Sequence, residues 1–116
     1  MMRLSFACKN IDFRELVMCS FELNRTEYGL FTFLLSQDDP LCTTTIGEQT
    51  GKDRTTIQKA VKKLVAKGLV NKHQVNLESG GYTFVYSIKN KEYIKSTMLD
   101  IVNKWHKAVV DQIKGW

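Results

Sequence analysis

The chain has 116 residues, 43% hydrophobic and 25% charged, with one Pro and seven Gly. That balance fits one folded domain of ordinary size and excludes a disordered or low-complexity chain. The net charge is +5 and unevenly placed: residues 1–50 carry four Lys/Arg against seven Asp/Glu, 51–77 seven against one, 78–88 a single acid, and 89–116 six against three. A cation excess that starts at one stretch is the electrostatic footprint expected of a nucleic-acid binder.

The three cysteines, Cys8, Cys19 and Cys42, are an odd number without CxxC spacing. No basic-then-apolar signal opens the chain, and no apolar run approaches the roughly 20 residues of a membrane span. The expectation is a reduced cytoplasm and no membrane partner.

In chain order, the first amphipathic segment falls at 11–23, where Ile11, Phe13, Leu16, Val17, Cys19, Phe21 and Leu23 predict a helix over about 12–21. Asn24-Arg25-Thr26-Glu27 reads as a capping box, with Asn24 as cap and Glu27 reaching back to its N–H. Tyr28, Leu30, Phe31, Phe33, Leu34 and Leu35 follow. They are too apolar for a surface helix and predict the buried centre of the domain. Asp38-Asp39-Pro40 stops this helix, because the position before proline disfavours helical backbone.

Leu41-Cys42-Thr43 is read as a brief strand. Thr44 is expected to cap a short helix that runs to Thr50 with Ile46 inward, closed by Gly51. Asp53 is the N-cap of the next helix, whose apolar positions Ile57, Ala60, Val61, Leu64 and Val65 recur at the spacing of one face. Gly68 is its left-handed terminating residue. The opposite face carries Arg54, Thr55, Gln58, Lys59, Lys62 and Lys63. A short helix, a tight turn and a second helix constitute a helix-turn-helix, whose second helix enters the DNA major groove.

An extended run at 70–77 and another at 82–88 flank Glu78-Ser79-Gly80-Gly81, turn residues that permit positive φ. On the second run Tyr82, Phe84, Tyr86 and Ile88 share one face. This hairpin is the wing of a winged helix-turn-helix. The predicted class is therefore α+β, mainly α, with an N-terminal helix, a DNA-binding domain over 1–88 and a C-terminal helix over 89–116. In that last segment Ile94, Met98, Ile101, Trp105, Val109, Ile113 and Trp116 form one apolar stripe. At about 1.5 Å per residue the helix would extend roughly 35 Å, longer than so small a domain can cover. The expected cover is the same helix of a second chain, with or without the N-terminal helix, which makes these seven residues the candidate interface of a homodimer.

Near the N-terminus of the second helix, Arg54, Thr55, Thr56 and Gln58 are candidates for base-edge contacts; Arg suits guanine and Gln suits adenine. Lys52, Lys59, Lys62 and Lys63 are candidates for phosphate contacts, which set register and affinity. The plainer alternative is an amphipathic surface helix with a solvated lysine face; the preceding helix, the following hairpin and the charge polarity weigh against it. In the wing, Lys72, His73, Gln74, Ser79 and Tyr82 either reach flanking DNA or merely decorate a packed hairpin. A winged helix that binds an acidic protein surface instead of DNA is the other functional class this face allows.

Catalytic chemistry finds no support: no nucleophile–base arrangement, phosphate loop or paired carboxylates stand out, and Gly47 and Gly51 belong to a helix and its cap. His73 and His106 lie too far from each other and from the cysteines for a zinc spacing, so no metal or cofactor is expected. The cysteines read as small apolar residues, since a thiol sensor needs exposure together with a lowered pKa.

Leu23-Asn24-Arg25-Thr26-Glu27, Thr50-Gly51-Lys52-Asp53-Arg54-Thr55-Thr56-Ile57, Lys67-Gly68-Leu69-Val70 and Gly80-Gly81-Tyr82 resemble the archaeal TrmB-like branch of winged-helix regulators, relatives of the MarR group. The resemblance covers about 23–88. It implies a homodimeric transcription regulator that binds double-stranded DNA, with Asp53 to Ile57 at the start of the recognition helix. TrmB proper adds a sugar-sensing C-terminal domain, whereas here one helix follows the wing, so sugar sensing is not carried over. MarR relatives bind small phenolics between subunits, but no residues here demand such a pocket, and an effector stays open.

Overall fold

Residues 3–116 are described by the computed structural model, and in chain order they form β1 (Arg3–Phe6), β2 (Lys9–Asp12), α1 (Phe13–Phe21), α2 (Arg25–Leu35), β3 (Leu41–Cys42), α3 (Thr43–Thr50), α4 (Arg54–Ala66), β4 (Val70–Asn76), β5 (Tyr82–Ile88) and α5 (Lys91–Lys114). This is a mainly helical α+β chain with the winged helix-turn-helix order. It divides into two compact units, residues 24–89 and the remainder.

In the 24–89 unit, α2 begins at a complete capping box. The Asn24 N–H donates to Glu27 Oε1 (2.9 Å) and the Glu27 N–H donates to Asn24 Oδ1 (2.8 Å). Leu30, Phe31 and Leu34 of this helix are buried, as are Ile46 of α3 and Ile57, Ala60, Val61 and Leu64 of α4. α4 packs against both α2 and α3. Ile46, Ile57 and Leu64 have no exposed surface at all, so the orientation of α4 is set by close-packed contacts on one face.

Helix α3 starts two residues earlier than a Thr44 cap requires. Cys42 is its N-cap, without a side-chain hydrogen bond to the helix. The reason lies in the sheet: Leu41 and Cys42 pair with Tyr86 and Val85 of β5, which holds the chain extended up to Cys42. The helix-turn-helix corner is tight. Gly51 ends α3 in the left-handed region and its N–H donates to the Gly47 carbonyl at 2.8 Å. A Cβ on Gly47 would sit 3.2 Å from the Lys52 carbonyl oxygen, so a residue without a side chain lets this turn fold back on the helix.

At its far end α4 closes in a Schellman motif. The Leu69 N–H donates to the Leu64 carbonyl and the Gly68 N–H to the Val65 carbonyl, both at 3.0 Å, with Gly68 at φ 77°. Leu69 and Val70 are buried immediately afterwards. The chain therefore leaves the helix and enters β4 with no slack. Strands β4 and β5 pair antiparallel from Val70↔Ile88 to Asn76↔Tyr82, and β3 adds to the other side of β5.

The remaining unit contains a hairpin absent from the sequence expectations. β1 and β2 pair from Arg3↔Asp12 to Phe6↔Lys9. The two-residue connection is Ala7-Cys8, with Ala7 at φ 45°, a turn that lacks the Gly or Asn by which such connections are usually read. Asp12 then caps α1 by accepting from the Arg14 N–H at 3.0 Å, so the helix starts at Phe13. α1 packs on α5. Helix α5 has 24 residues and opens with Asn90 Oδ1 accepting from the Glu92 N–H at 2.8 Å. No helix among the described residues is long and apolar enough to cross a membrane.

Candidate nucleic-acid interface

The N-terminus of α4 is fixed by Asp53. Its carboxylate accepts from the Thr56 N–H at 2.7 Å. The Thr56 hydroxyl, then the Thr56 N–H and the charge of Lys59 hold the Asp53 carboxyl below its usual range. This cap places Arg54 and Thr55, both exposed, in the first turn, with Lys52 exposed in the corner before it. Thr56 is half-buried and its backbone is occupied by the cap.

With Ile57, Ala60, Val61 and Leu64 turned to the core, the 3.6-residue repeat divides the other positions into an outward row and two flanks. Thr55, Lys59 and Lys62 occupy the outward row and are exposed. On one flank Gln58 and Val65 face the wing. There, together with Val61 and Lys62, they meet Lys72, Phe84 and Tyr86 across an open groove of about 360 Å³. On the other flank Lys63 turns toward α2, and its Nζ lies 3.4 Å from Glu27 Oε1.

The pairing register sorts the wing. Lys72, Gln74 and Asn76 lie opposite Tyr86, Phe84 and Tyr82 and share their face. Lys72 Nζ stands 4.1 Å from the centre of the Phe84 ring, a cation–π arrangement that holds the ammonium at the groove. Tyr82 packs edge-on against Phe84, with ring centres 5.5 Å apart. Burial of the Tyr86 phenol raises its pKa. His73 is opposite Val85 and faces the other side of the hairpin with Val75, while Ser79 is exposed in the connecting turn.

Of the residues singled out from sequence, Gln58, Lys62 and Lys72 are thus brought around one groove. Arg54, Thr55 and Lys59 are presented beside it on α4, while Lys63 and His73 point elsewhere. Two participants were missed. Phe84, read as part of an apolar strand face, is also the seat of the Lys72 ammonium. Glu27, read as a capping residue, is also the partner of Lys63. The first can be anticipated from two-residue alternation once the register is known; the second is a long-range contact with no local signal.

The stripe on α5 changes character along its length. Ile94 is buried, Met98, Ile101 and Val109 are half-buried, and Trp105 and Ile113 are 64% and 63% exposed. Trp116 lies beyond the helix end and is fully exposed. Among the thiols, Cys8 and Cys19 are exposed and Cys42 is half-buried. A hydrogen bond with the Thr45 hydroxyl (Sγ to Oγ1, 3.3 Å), aided by the Thr45 backbone, lowers the Cys42 thiol pKa. No group of three or more metal-ligating side chains occurs among the described residues.

Residues 18–92 match the family model described as "Sugar-specific transcriptional regulator TrmB". The chain is 33% identical over 110 residues to the uncharacterized protein MJ1503 of Methanocaldococcus jannaschii, covering 91% of this chain and 83% of that protein. Among solved structures, a "Possible transcriptional regulator" of Methanosarcina mazei Go1 superposes with a TM-score of 0.91 at 28% identity, over 99% of this chain and 97% of its own. A mutant of Staphylococcus aureus MepR, solved bound to an oligodeoxyribonucleotide, shares the fold with a TM-score of 0.55 at 14% identity, over 86% of this chain and 72% of its own.

Proposed function

Because the chain belongs to the TrmB family of DNA-binding transcriptional regulators, we propose that it acts as a homodimer on specific double-stranded sites. In this reading α4 lies in the major groove and the wing on flanking DNA. The observation that carries it is the outward face of α4. Arg54, Thr55, Gln58, Lys59 and Lys62 are displayed on a helix whose other face is wholly buried, so they are held in fixed register and pay little ordering cost on binding. The fold shared with DNA-bound MepR supports this reading.

Arg54 and Gln58 carry base discrimination through paired hydrogen bonds to base edges, with Thr55 beside them. Lys52, Lys59 and Lys62 neutralise phosphates, and Lys72 with Gln74 extends the contact along the backbone beside the groove. In the wing, Tyr82 and Ser79 are exposed near the hairpin tip and are further candidates for contact with flanking DNA. The exposed part of the α5 stripe, above all Trp105 and Ile113, packs against a second copy. Two recognition helices then address half-sites about one DNA turn, roughly 34 Å, apart.

Selection of bound sequences from random duplex DNA at fixed salt tests this reading. A two-fold symmetric consensus is expected, and Arg54→Ala relaxes it at one position per half-site. Lys62→Ala weakens all sequences alike and reduces the slope of log affinity against log salt by about 0.9. Absence of salt-sensitive duplex binding would remove the proposal.

A further inference from the structure

Glu27 is an acid in an unusual place. Its side chain is only 10% exposed, and it sits in the first turn of α2, against which α4 packs. One of its oxygens accepts the Asn24 N–H at 2.9 Å and also lies 3.4 Å from Lys63 Nζ. A carboxylate so enclosed needs a compensating cation, since an ionised group removed from water without a partner is costly. Lys63 supplies that charge from the last turns of α4, and its own side chain is 39% exposed. The other lysines of α4, Lys59 and Lys62 on its outward row, are exposed, and neither has this enclosure.

Building on the DNA-binding reading above, we propose that Lys63 is a positioning residue that ties the recognition helix to α2 through Glu27 and is withheld from the DNA backbone. Its charge is spent inside the protein. Neutralisation of phosphate falls to Lys52, Lys59, Lys62 and Lys72, and the Lys63–Glu27 tie fixes the α2 side of α4 while the groove with Lys72 and Phe84 bounds the wing side. Capping and positioning are thereby coupled in one carboxylate: Glu27 orders the start of α2 and orients the helix that reads DNA.

The test measures binding to a short fluorescein-labelled mixed-sequence duplex by anisotropy across a series of KCl concentrations, alongside thermal unfolding. Lys63→Met keeps the aliphatic stem and removes the ammonium. It should displace the log–log line to about threefold weaker binding at unchanged slope, whereas Lys62→Met flattens the slope by about 0.9. Lys63→Arg should restore the wild-type line. In unfolding, Lys63→Met lowers Tm by about 4 °C. Adding Glu27→Gln recovers much of that loss, because an amide needs no counter-charge and its oxygen can still accept the Asn24 N–H.

A slope reduced by Lys63→Met as much as by Lys62→Met would make Lys63 a phosphate contact and overturn the proposal, leaving the DNA-binding reading intact. Strictly additive Tm effects of the two substitutions would overturn it as well. Failure of the wild-type chain to bind duplex would remove both readings together.

Discussion

Two glycines of the 24–89 unit provide a matched experiment on what holds the recognition helix to the wing. A Cβ added at Gly29 or at Gly68 meets no atom within 4 Å, so neither substitution by Ala creates a clash. Only the backbone differs. Gly29 is an exposed interior position of α2, where Ala is favoured over Gly by about 1 kcal/mol. Gly68 holds φ at 77° to complete the Schellman closure of α4, and an L-residue there costs about 1–2 kcal/mol. Restricting the unfolded chain returns about 0.4–1 kcal/mol of that cost. The net loss is then about 1 kcal/mol. At about 4 °C per kcal/mol for a domain of this size, Gly29→Ala should raise Tm by about 4 °C and Gly68→Ala should lower it by a similar amount. Far-UV circular dichroism melts of the three proteins measure both shifts. A Gly68→Ala variant that melts at or above wild type would refute the reasoning, for it would mean that the exit of α4 into β4 tolerates a different path.

Trp105→Glu places a charge in the exposed half of the α5 stripe and should weaken self-association by about 2 kcal/mol or more, read as a shift to monomer mass in light scattering; an undiminished dimer would locate the interface elsewhere. Asp53 makes a pH-dependent contribution with a definite sign. Its folded-state carboxyl is held below the ordinary value of 3.8, so the cap's contribution is fully present above that value and is lost as pH falls through the lower folded one. The Tm difference between wild type and Asp53→Ala should therefore be constant near neutrality and shrink in acid, and Asp53→Asn, which keeps a capping oxygen, should show no such titration. A gap that stays constant into strong acid would assign the cap to another group.

What could be read from the chain in advance was what short-range chemistry decides. Asn24 with Glu27, Asp53 before an apolar period, Gly68 at a helix exit and Glu78 to Gly81 between two alternating runs each signal a structure within a few residues of themselves. The start of α3 could not be read this way, because the partner that holds Cys42 extended is Val85, on a strand far along the chain. The β1–β2 hairpin was hidden by its Ala7-Cys8 turn, in which a non-glycine takes positive φ. In the site, residue types were legible and directions were not. Lys62 and Lys63 are adjacent in sequence and chemically identical, yet one lies beside Lys72 at the groove and the other beside Glu27. Likewise Lys72 and His73 read alike as wing polars, but alternation along β4 sends them to opposite faces.

The placement of the two tryptophans has a practical consequence. The chain has two, Trp105 and Trp116, and both belong to α5 or the residues just past it. With indole rings this exposed, the emission of an isolated chain should be that of water-solvated tryptophan, and residues 24–89 contribute no indole signal of their own. Intrinsic fluorescence is thus a built-in optical reporter on one helix alone. A blue shift on raising protein concentration registers cover over α5, and a shift on adding unlabelled duplex registers a change transmitted to it from the DNA-reading unit, with no dye attached.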